Sequence, residues 1–263
     1  MQVSIIIPVL NESRLIAGFL RHLRSVAPGA EIIVADGGSN DETVDLSNGL
    51  ADRVIITSPG RGRQMNAGAA VAGGEVFWFV HADSHIPAEA LDAIEGALQD
   101  QRTVGGCFRL RLIPRRWTYR LRDLIGDACV SLFHIGLGDR GLFCRRESFH
   151  VLRGYSEKQL FEDADLYRAL AATGRMRRLD SAIETSARRY EAQGPVRTCL
   201  FYGLVMLLYW GGTRRPILEC MVDRFGYRAN QATQMHASTH LSRSDATERI
   251  LSHTTPLQFN PNL

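Results

Sequence analysis

The first hundred residues alternate short apolar runs with segments in which apolar side chains recur every three or four positions. The runs at 3–9, 31–35, 53–57 and 76–80 have the length and the β-branched or aromatic content of strands. Between them, the periodic segments, of which 15–23 is the clearest, predict amphipathic helices. This alternation is typical of βαβ units, so the sequence predicts an α/β fold whose mostly parallel central sheet is flanked by helices.

The regular alternation weakens after about residue 100. The segment 104–112 alternates polar and apolar residues toward its end, which predicts an exposed or edge strand. Apolar residues within 121–132 fall on one face of a predicted helix, and a short strand is predicted at 142–144. A further helix opens near residue 162, with acidic residues in its first turn where the helix dipole favours them.

The most apolar segment of the chain is 199–210, which Arg197, Arg214 and Arg215 flank. At about a dozen residues it is too short to span a bilayer, which takes ~20. It predicts a core or dimer helix, and a helix lying in a membrane interface is the second interpretation. Residues 227–263 are polar and aperiodic, which predicts a flexible tail.

The composition narrows the class of protein. With 263 residues the chain has room for one large α/β domain, or one domain with a small appendage. The net charge of +3 is too small to indicate nucleic acid as a partner. The five cysteines include no Cys-x-x-Cys pair, which argues against a zinc site and favours a reduced, cytoplasmic chain. The first apolar run stops at Asn11-Glu12 and lacks a basic segment before it, so we expect a strand and not a signal peptide.

Polar side chains follow each of the first four predicted strands. In chain order they are Asn11 and Glu12, Asp36, Arg61 and Arg63, and finally His81 and Asp83. In an open α/β sheet, ligands bind in the crevice outside the carboxyl ends of the strands. A carboxylate such as Asp83 could there hold Mg²⁺ or Mn²⁺ against a diphosphate, because both ions prefer oxygen ligands. The alternatives are that Asp83 and Glu12 only cap the helices after them and that Asp36 only forms a turn.

Four stretches together resemble the family 2 glycosyltransferases with the GT-A fold. They are 4–12, 34–41, His81-Ala82-Asp83 and Glu162-Asp163, and the resemblance extends from residue 3 to about 190. The run Gly-Arg-Gly-Arg-Gln-Met-Asn at 60–66 and the segment 186–190 further resemble a subgroup associated with arsenosugar biosynthesis.

The resemblance implies a GT-A fold, with a Rossmann-like sheet and a helical C-terminal portion. It divides the chain into a nucleotide-sugar-binding half at 1–100 and an acceptor-binding, catalytic half at 101–226, which form one continuous domain. Residues 227–263 then make the flexible tail.

The same resemblance assigns roles to individual residues. Asp163 would be the catalytic base and Asp83 the metal-binding acid. The residues that would contact the nucleotide are Pro8, Glu12, Asp36, Arg61, Arg63 and His81. Arg188 and Arg189 would face the diphosphate. Asp139 and Arg140 in a Gly-rich turn, together with Glu162, are candidates for acceptor contacts.

Three positions depart from the family pattern. His81 stands where the family usually has an acid that contacts the ribose, and Gly37 replaces a second aspartate near the base pocket. Met65 stands where many members carry arginine, so Arg61 and Arg63 would supply the positive charge.

The predicted function is inverting transfer of a sugar from a nucleoside diphosphate, with a UDP-sugar favoured, to the hydroxyl of a small-molecule or lipid acceptor. Mn²⁺ or Mg²⁺ would assist, and the enzyme would be cytoplasmic. The segment 199–210 would provide either peripheral contact with the inner membrane face or a homodimer contact.

Two other functions remain open. One is a degenerate nucleotide-binding or membrane-docking protein without turnover. The other is a sugar-phosphate nucleotidyltransferase, although that class needs a basic Gly-rich loop after the first strand and this loop is acidic. A dinucleotide oxidoreductase is excluded, because no Gly-x-Gly-x-x-Gly follows the first strand.

Overall fold

A computed structural model describes residues 1–134, 140–157 and 160–225. Its strands are β1 (Val3–Val9), β2 (Glu31–Asp36), β3 (Arg53–Ile56), β4 (Val76–Phe79), β5 (Ser84–His85), β6 (Thr103–Ile113), β7 (Phe143–Arg145) and β8 (Arg175–Ser186). The first five helices are α1 (Ile16–Val26), α2 (Thr43–Ser47), α3 (Arg61–Val71), α4 (Ala90–Leu98) and α5 (Trp117–Phe133). The others are α6 (Arg146–Val151), α7 (Glu162–Thr173), α8 (Arg188–Gln193), α9 (Pro195–Trp210) and α10 (Arg215–Arg224).

The eight strands form one sheet in the order β3-β2-β1-β4-β7-β6-β8-β5. Strand β1 pairs in parallel with β2 and β4, and β2 with β3, as the βαβ pattern predicts. Strand β7 is antiparallel to both of its neighbours, β4 and β6, while β8 is parallel to β6. Strands β4, β6 and β8 therefore run in the same direction, and their carboxyl ends lie at the same edge of the sheet as those of β1, β2 and β3.

Strand β1 is buried on both faces, because an apolar layer covers each side of the sheet. Ile5 and Ile7 pack with the apolar faces of α1 and α4. Ile6 packs on the other side, with Met65 and Ala69 of α3 and with Leu166 of α7. This packing fixes the strand ends on which the candidate site is built.

Two features of the second half differ from the prediction. The strand predicted at the edge, 104–112, is β6 and lies in the interior between β7 and β8. Gly105 and Gly106 allow this, because added Cβ atoms would lie 2.4 Å from the Phe143 carbonyl oxygen and 2.1 Å from that of Arg177. Strand β8 was not predicted, since its charged residues interrupt any apolar alternation.

Two contact-dense units divide the chain, 1–202 and 203–263. The apolar segment 199–210 belongs to helix α9, and it exposes Leu200, Leu204 and Leu207, so it is not purely a core helix. In the described residues, no helix is long and apolar enough to cross a bilayer. The predicted tail at 227–263 lies outside the described residues, and the predicted boundary between halves near residue 100 stays a prediction.

Candidate active site

The loop after β1 is held by side chains from the loop after β2. The amide of Asn11 donates to Ser39 Oγ at 2.8 Å, and the amide of Glu12 donates to Thr43 Oγ1 at 2.8 Å. The amide of Ser13 donates to the Asp41 carboxylate at 3.2 Å. Three successive amides are thus fixed from the neighbouring strand end, which positions Glu12 at the rim of the sheet.

Asp36 ends β2 and is 1% exposed. Its carboxylate accepts the amides of Gly38 and Ser39 at 2.8 Å each, and Ser39 Oγ also donates to it. This is the turn-forming role that the sequence left open for Asp36. Its contact with a nucleotide stays a prediction, as does that of Pro8, which is buried in β1.

Glu12 is the electrostatic centre of the rim. Its pKa is raised from 4.5 to about 7, with burial as the largest cause; the negative charges of Asp83 and Asp41 contribute to this shift, whereas Arg188 and Arg61 oppose it. Residues from four segments of the chain therefore lie close enough to Glu12 for their charges to act on its carboxylate. This matches the prediction that Glu12, Asp83 and an arginine from 61–63 would meet at one edge.

His81 and Asp83 follow β4 directly. His81 is 9% exposed, and its carbonyl accepts the amide of Ser84 at 3.1 Å, which closes a tight turn around Asp83. The Asp83 side chain is exposed, so solvent and ligands can reach its carboxylate.

The donor set fits a hard divalent cation. Asp83 offers an accessible carboxylate beside Glu12, and Mg²⁺ and Mn²⁺ in such sites take one or two protein carboxylates plus substrate phosphates. A cation here would relieve the repulsion that helps to raise the Glu12 pKa. Within 1–134, 140–157 and 160–225, no group of three or more His, Cys, Asp or Glu side chains is arranged around a common metal position.

Arg61 and Arg63 lie in the first turn of α3. Arg61 acts on Glu12, but Arg63 forms an exposed ion pair with Glu157 at 3.2 Å. The intervening Gly62 packs on the Tyr155–Ser156 backbone, since an added Cβ would lie 2.4 Å from the Ser156 carbonyl oxygen. The glycine at position 62 thus allows this loop to pack closely on the first turn of α3.

Arg188 follows β8, and its Nε donates to Ser186 Oγ at 3.2 Å. Its charge lowers the pKa of Glu12, so it belongs to the rim. The side chain of Arg189 lies outside the described part of the structure.

Asp163 and Glu162 open α7. Burial raises the pKa of the Tyr155 phenol well above its usual value, and the adjacent charge of Asp163 and that of Glu162 add to the shift. The Tyr155 ring packs edge-on against Phe79, the last residue of β4, with centroids 4.9 Å apart. Tyr155 therefore connects Asp163 to the strand that carries Asp83.

The two acceptor candidates of the Gly-rich turn have different outcomes. Asp139 lies outside the described residues. Arg140 is 4% exposed, and its guanidinium pairs with Asp127 at 2.8 Å, which gives it a structural role beneath α5. Contact of Arg140 or Glu162 with an acceptor stays a prediction.

Sequence reasoning missed the residues that position the site. Ser39, Asp41 and Thr43 support the Glu12 loop, and Tyr155 supports Asp163. The polar run 36–43 did indicate such support, because Ser, Asp and Thr side chains commonly form hydrogen bonds with nearby backbone groups.

The fold and the polar strand-end rim define a GT-A-like protein, and comparison supports this. The structure aligns with S. aureus TarS residues 1–349 at a TM-score of 0.57 and 16% identity, covering 76% of this chain and 66% of that one. It aligns with Mycobacterium tuberculosis glucosyl-3-phosphoglycerate synthase, in complex with Mn²⁺, UDP and glucosyl-3-phosphoglycerate, at a TM-score of 0.51 and 18% identity, covering 70% of each chain. At these identities the likeness establishes the fold alone.

A model of glycosyl transferase family 2 matches residues 4–182, and the chain belongs to this family. This is the family that the sequence resemblance named. PGL/p-HBAD biosynthesis glycosyltransferases of Mycobacterium tuberculosis and Mycobacterium bovis are 36% identical to it over 165 residues, which is 58% of this chain. The match spans 62% of the length of these relatives.

Proposed function

We propose that this protein is an inverting glycosyltransferase that moves a sugar from a nucleoside diphosphate, with UDP favoured, to a hydroxyl of a small-molecule or lipid acceptor. The observation that carries the proposal is the electrostatic coupling of Glu12 to Asp83, Arg61 and Arg188 at the carboxyl ends of parallel strands. Structural neighbours support the donor class, since they include complexes with UDP and with UDP-GlcNAc.

Asp83, assisted by Glu12, would hold Mn²⁺ or Mg²⁺. The ion would supply positive charge for the diphosphate leaving group. A neighbour of the same fold in complex with Mn²⁺ supports a divalent cofactor.

Departure of the diphosphate places negative charge on its oxygens as the bond from the sugar C1 breaks. Arg61 and Arg188 would stabilise that charge, because preorganised cations act strongly where charge develops. Arg63 and Arg189 would add to the same field. Pro8, Glu12, Asp36 and His81 would contact the base and ribose.

Asp163 would take the proton from the acceptor hydroxyl while the acceptor oxygen bonds to C1. Attack on the face opposite the leaving group inverts the anomeric centre. Such general-base assistance contributes typically about 10²–10⁴-fold. The position of Asp163 beside the Tyr155 phenol supports this role, because Tyr155 packs on Phe79 and so keeps Asp163 near the strand that leads to Asp83.

The test replaces one carboxylate at a time in the same helical turn. Asp163→Asn should lower sugar transfer by at least about 100-fold, the lower end of general-base assistance, and leave the affinity for UDP with Mn²⁺ unchanged. Asp165→Asn, which removes another acid of the first turn of α7, is the matched control and should transfer normally. Transfer is measured as UDP release from UDP-sugars over a panel of hydroxyl acceptors, and affinity by calorimetry.

Other results would assign a different function. Equal activity of wild type and Asp163→Asn would mean that Asp163 is not the base. Nucleotide binding without any turnover in the wild type would support the degenerate binding protein. Formation of a nucleotide sugar from a nucleoside triphosphate and a sugar phosphate, with release of pyrophosphate, would support the nucleotidyltransferase. The arsenosugar subgroup, the identity of the sugar, the cytoplasmic location and a membrane or dimer contact through 199–210 all remain predictions.

A further inference from the structure

Helix α5 presents its apolar residues to solvent. Five large side chains on it are between 51% and 74% exposed: Trp117, Leu121, Leu124, Ile125 and Leu132. At 100° per residue these positions and the exposed Ala128 fall within about 100° of the helix circumference. We call them the α5 stripe.

The opposite face of the same helix is the buried one. Tyr119 and Val130 are at most 1% exposed, and Asp123 is 6% exposed. Helix α5 therefore already has its packing partners on that side, and the apolar α5 stripe is additional to them. Contiguous exposed apolar surface of this kind marks an interaction site.

A basic pocket adjoins the α5 stripe. It has a volume of about 380 Å³ and is lined by Arg109, Arg111, Arg115, Arg120 and Arg178. Leu124 and Ala128 of the α5 stripe also line it, so the apolar surface and the arginines are continuous.

Acidic partners compensate only part of this positive charge. Asp127 is shared by Arg109, Arg140 and Arg178 at 3.5, 2.8 and 3.7 Å. Asp123 is shared by Arg115 and Arg122 at 3.3 and 3.0 Å. Two further exposed ion pairs join Arg109 to Asp180 and Arg116 to Glu191.

Two of the pocket arginines, Arg111 and Arg120, form no ion pair with a carboxylate of the described residues, although Arg111 lies opposite Glu184 in the β6–β8 register. The pocket therefore has room and positive charge for an anionic group.

We propose that the α5 stripe and this pocket form a docking surface for an anionic lipid bilayer. The apolar side chains would enter the boundary between headgroups and acyl chains, and the arginines would contact lipid phosphates. A helix with an apolar face and adjacent basic residues binds membranes by both contributions. The proposal concerns a partner surface and does not depend on the sugar-transfer function.

Charge complementarity favours a lipid surface over a second copy of the chain. A two-fold dimer through the α5 stripe would place the same patch on both sides of the interface. The unpaired arginines of one copy would then face those of the other, which is repulsive. A free phosphate would satisfy the pocket alone and leave the α5 stripe exposed to water.

The geometry also relates the surface to the rim. Strand β6 runs parallel to β4, and α5 begins four residues after β6 ends. The start of α5 therefore lies at the sheet edge that carries Glu12 and Asp83, and docking would bring that edge near the bilayer.

The experiment is co-sedimentation of the full chain with vesicles. One set contains phosphatidylcholine alone, and the other contains phosphatidylcholine mixed with phosphatidylglycerol. We expect at least about tenfold tighter binding to the anionic vesicles and weakening by added salt, because the attraction to the surface charge is screened.

Variants locate the binding surface. Leu121→Glu with Leu124→Glu removes the apolar contact, and Arg111→Glu with Arg120→Glu removes the unpaired charge; each pair should weaken binding at least about tenfold. Matched controls change exposed residues elsewhere. Val151→Glu on α6, and Arg21→Glu with Arg102→Glu, should bind as the wild type does. All of these positions are exposed, and thermal melts check that each variant is folded.

Five outcomes would overturn the proposal. One is a wild type that sediments with neither vesicle. Another is full binding by either α5-side variant. Loss of binding only when Leu200→Glu and Leu207→Glu are made on α9 would also overturn it. A fourth is self-association that Leu121→Glu with Leu124→Glu abolishes, without vesicle binding. The last is stabilisation by inorganic phosphate through Arg111 and Arg120 in a chain that ignores vesicles.

Discussion

Gln64 fixes the distance between two strand ends of the candidate site. Its side-chain nitrogen donates to the carbonyl oxygens of Val9 and Ala35 at 2.8 and 2.9 Å, and the residue is 4% exposed. An added Cβ at Gly37 would lie 3.1 Å from this amide. Gly37, one of the departures from the family pattern, therefore has a packing reason, because a larger residue would press on Gln64.

Asp41 supports the Glu12 loop through its charge. Burial raises the pKa of Asp41, but hydrogen bonds from Thr43 and Ser13 outweigh burial and lower it below 3.8. Thr43 Oγ1 accepts the Glu12 amide and donates to Asp41, so the carboxylate acts on Glu12 through this hydroxyl.

We predict that Asp41→Asn lowers the free energy of unfolding by about 1 kcal/mol at neutral pH, the usual size of a charge-assisted hydrogen bond in a partly exposed site. A depressed folded-state pKa stabilises the protein above the ordinary value and loses that effect as pH falls through the folded-state value. The deficit of the variant should therefore shrink on acidification below 3.8. Urea titrations of the wild type and of Asp41→Asn, at neutral pH and below pH 3.8, measure this difference in the free energy of unfolding.

The control for this prediction is Asp45→Asn, an exposed acid in the first turn of α2. It should change stability by less than about 0.5 kcal/mol, as surface substitutions usually do. A deficit for Asp41→Asn that grew with acidity would show that the carboxylate does not stabilise the loop.

At the scale of residues, the sequence predicted the polar groups near the strand ends better than the residues that support them. Glu12, Asp83 and Arg61 follow strands directly, and strand ends can be recognised from local apolar runs. Their supports come from residues about 30 positions away, as in Asn11 with Ser39. Such pairings depend on which strands become neighbours, and no local pattern encodes that.

At the scale of elements, helix α3 and the loop before α7 are held together around Asn66. The Asn66 side chain donates to the Tyr155 carbonyl oxygen at 2.9 Å and accepts the Tyr155 amide at 2.8 Å. Gly62 allows the same loop to approach the first turn of α3. The loop that carries Tyr155 to Asp163 is therefore fixed to the helix that carries Arg61.

Gly62→Ala tests this packing. The new methyl group would meet the Ser156 carbonyl oxygen at 2.4 Å, so the loop must shift. We expect a loss of about 1–3 kcal/mol of stability, typical of overpacking. Gly96→Ala in α4 is the control, because its Cβ would meet no atom within 4 Å, and it should gain about 0.5–1 kcal/mol.

Chemical denaturation of both variants provides the comparison. If Gly62→Ala were as stable as Gly96→Ala, the loop would not be packed against α3 as described. The position of Tyr155 beside Asp163 would then lack its structural basis.

The sequence also predicted some elements better than others. Strands β1, β2 and β4 were found because they are buried on both faces or nearly so, which gives continuous apolar runs. Strand β3 has exposed ends and was found from its short β-branched run alone. Strand β8 is only partly buried and contains five charged residues in its twelve, so its pattern resembles a polar loop. Missing β8 also made β6 look like an edge strand.

For the molecule as a whole, sheet topology decides which side chains meet at the candidate site. Strand β7 is antiparallel to both neighbours, and so β6 and β8 return to the direction of β1 and β4. Arg188, which follows β8, therefore reaches the same edge as Glu12 and Asp83. The first four strand ends could be predicted from the sequence. The place of Arg188 after β8 could not, because it depends on the order of the strands in the sheet.

The central claim is that this edge binds a diphosphate together with a divalent cation through Asp83. Calorimetric titration of UDP, with and without Mn²⁺, tests it in the wild type, in Asp83→Asn and in the control Asp92→Asn, an exposed acid on α4. We predict that Mn²⁺ tightens UDP binding at least about tenfold in the wild type and in Asp92→Asn, and has little effect in Asp83→Asn, because the carboxylate that would hold the ion is gone. An undiminished Mn²⁺ effect in Asp83→Asn would contradict the account.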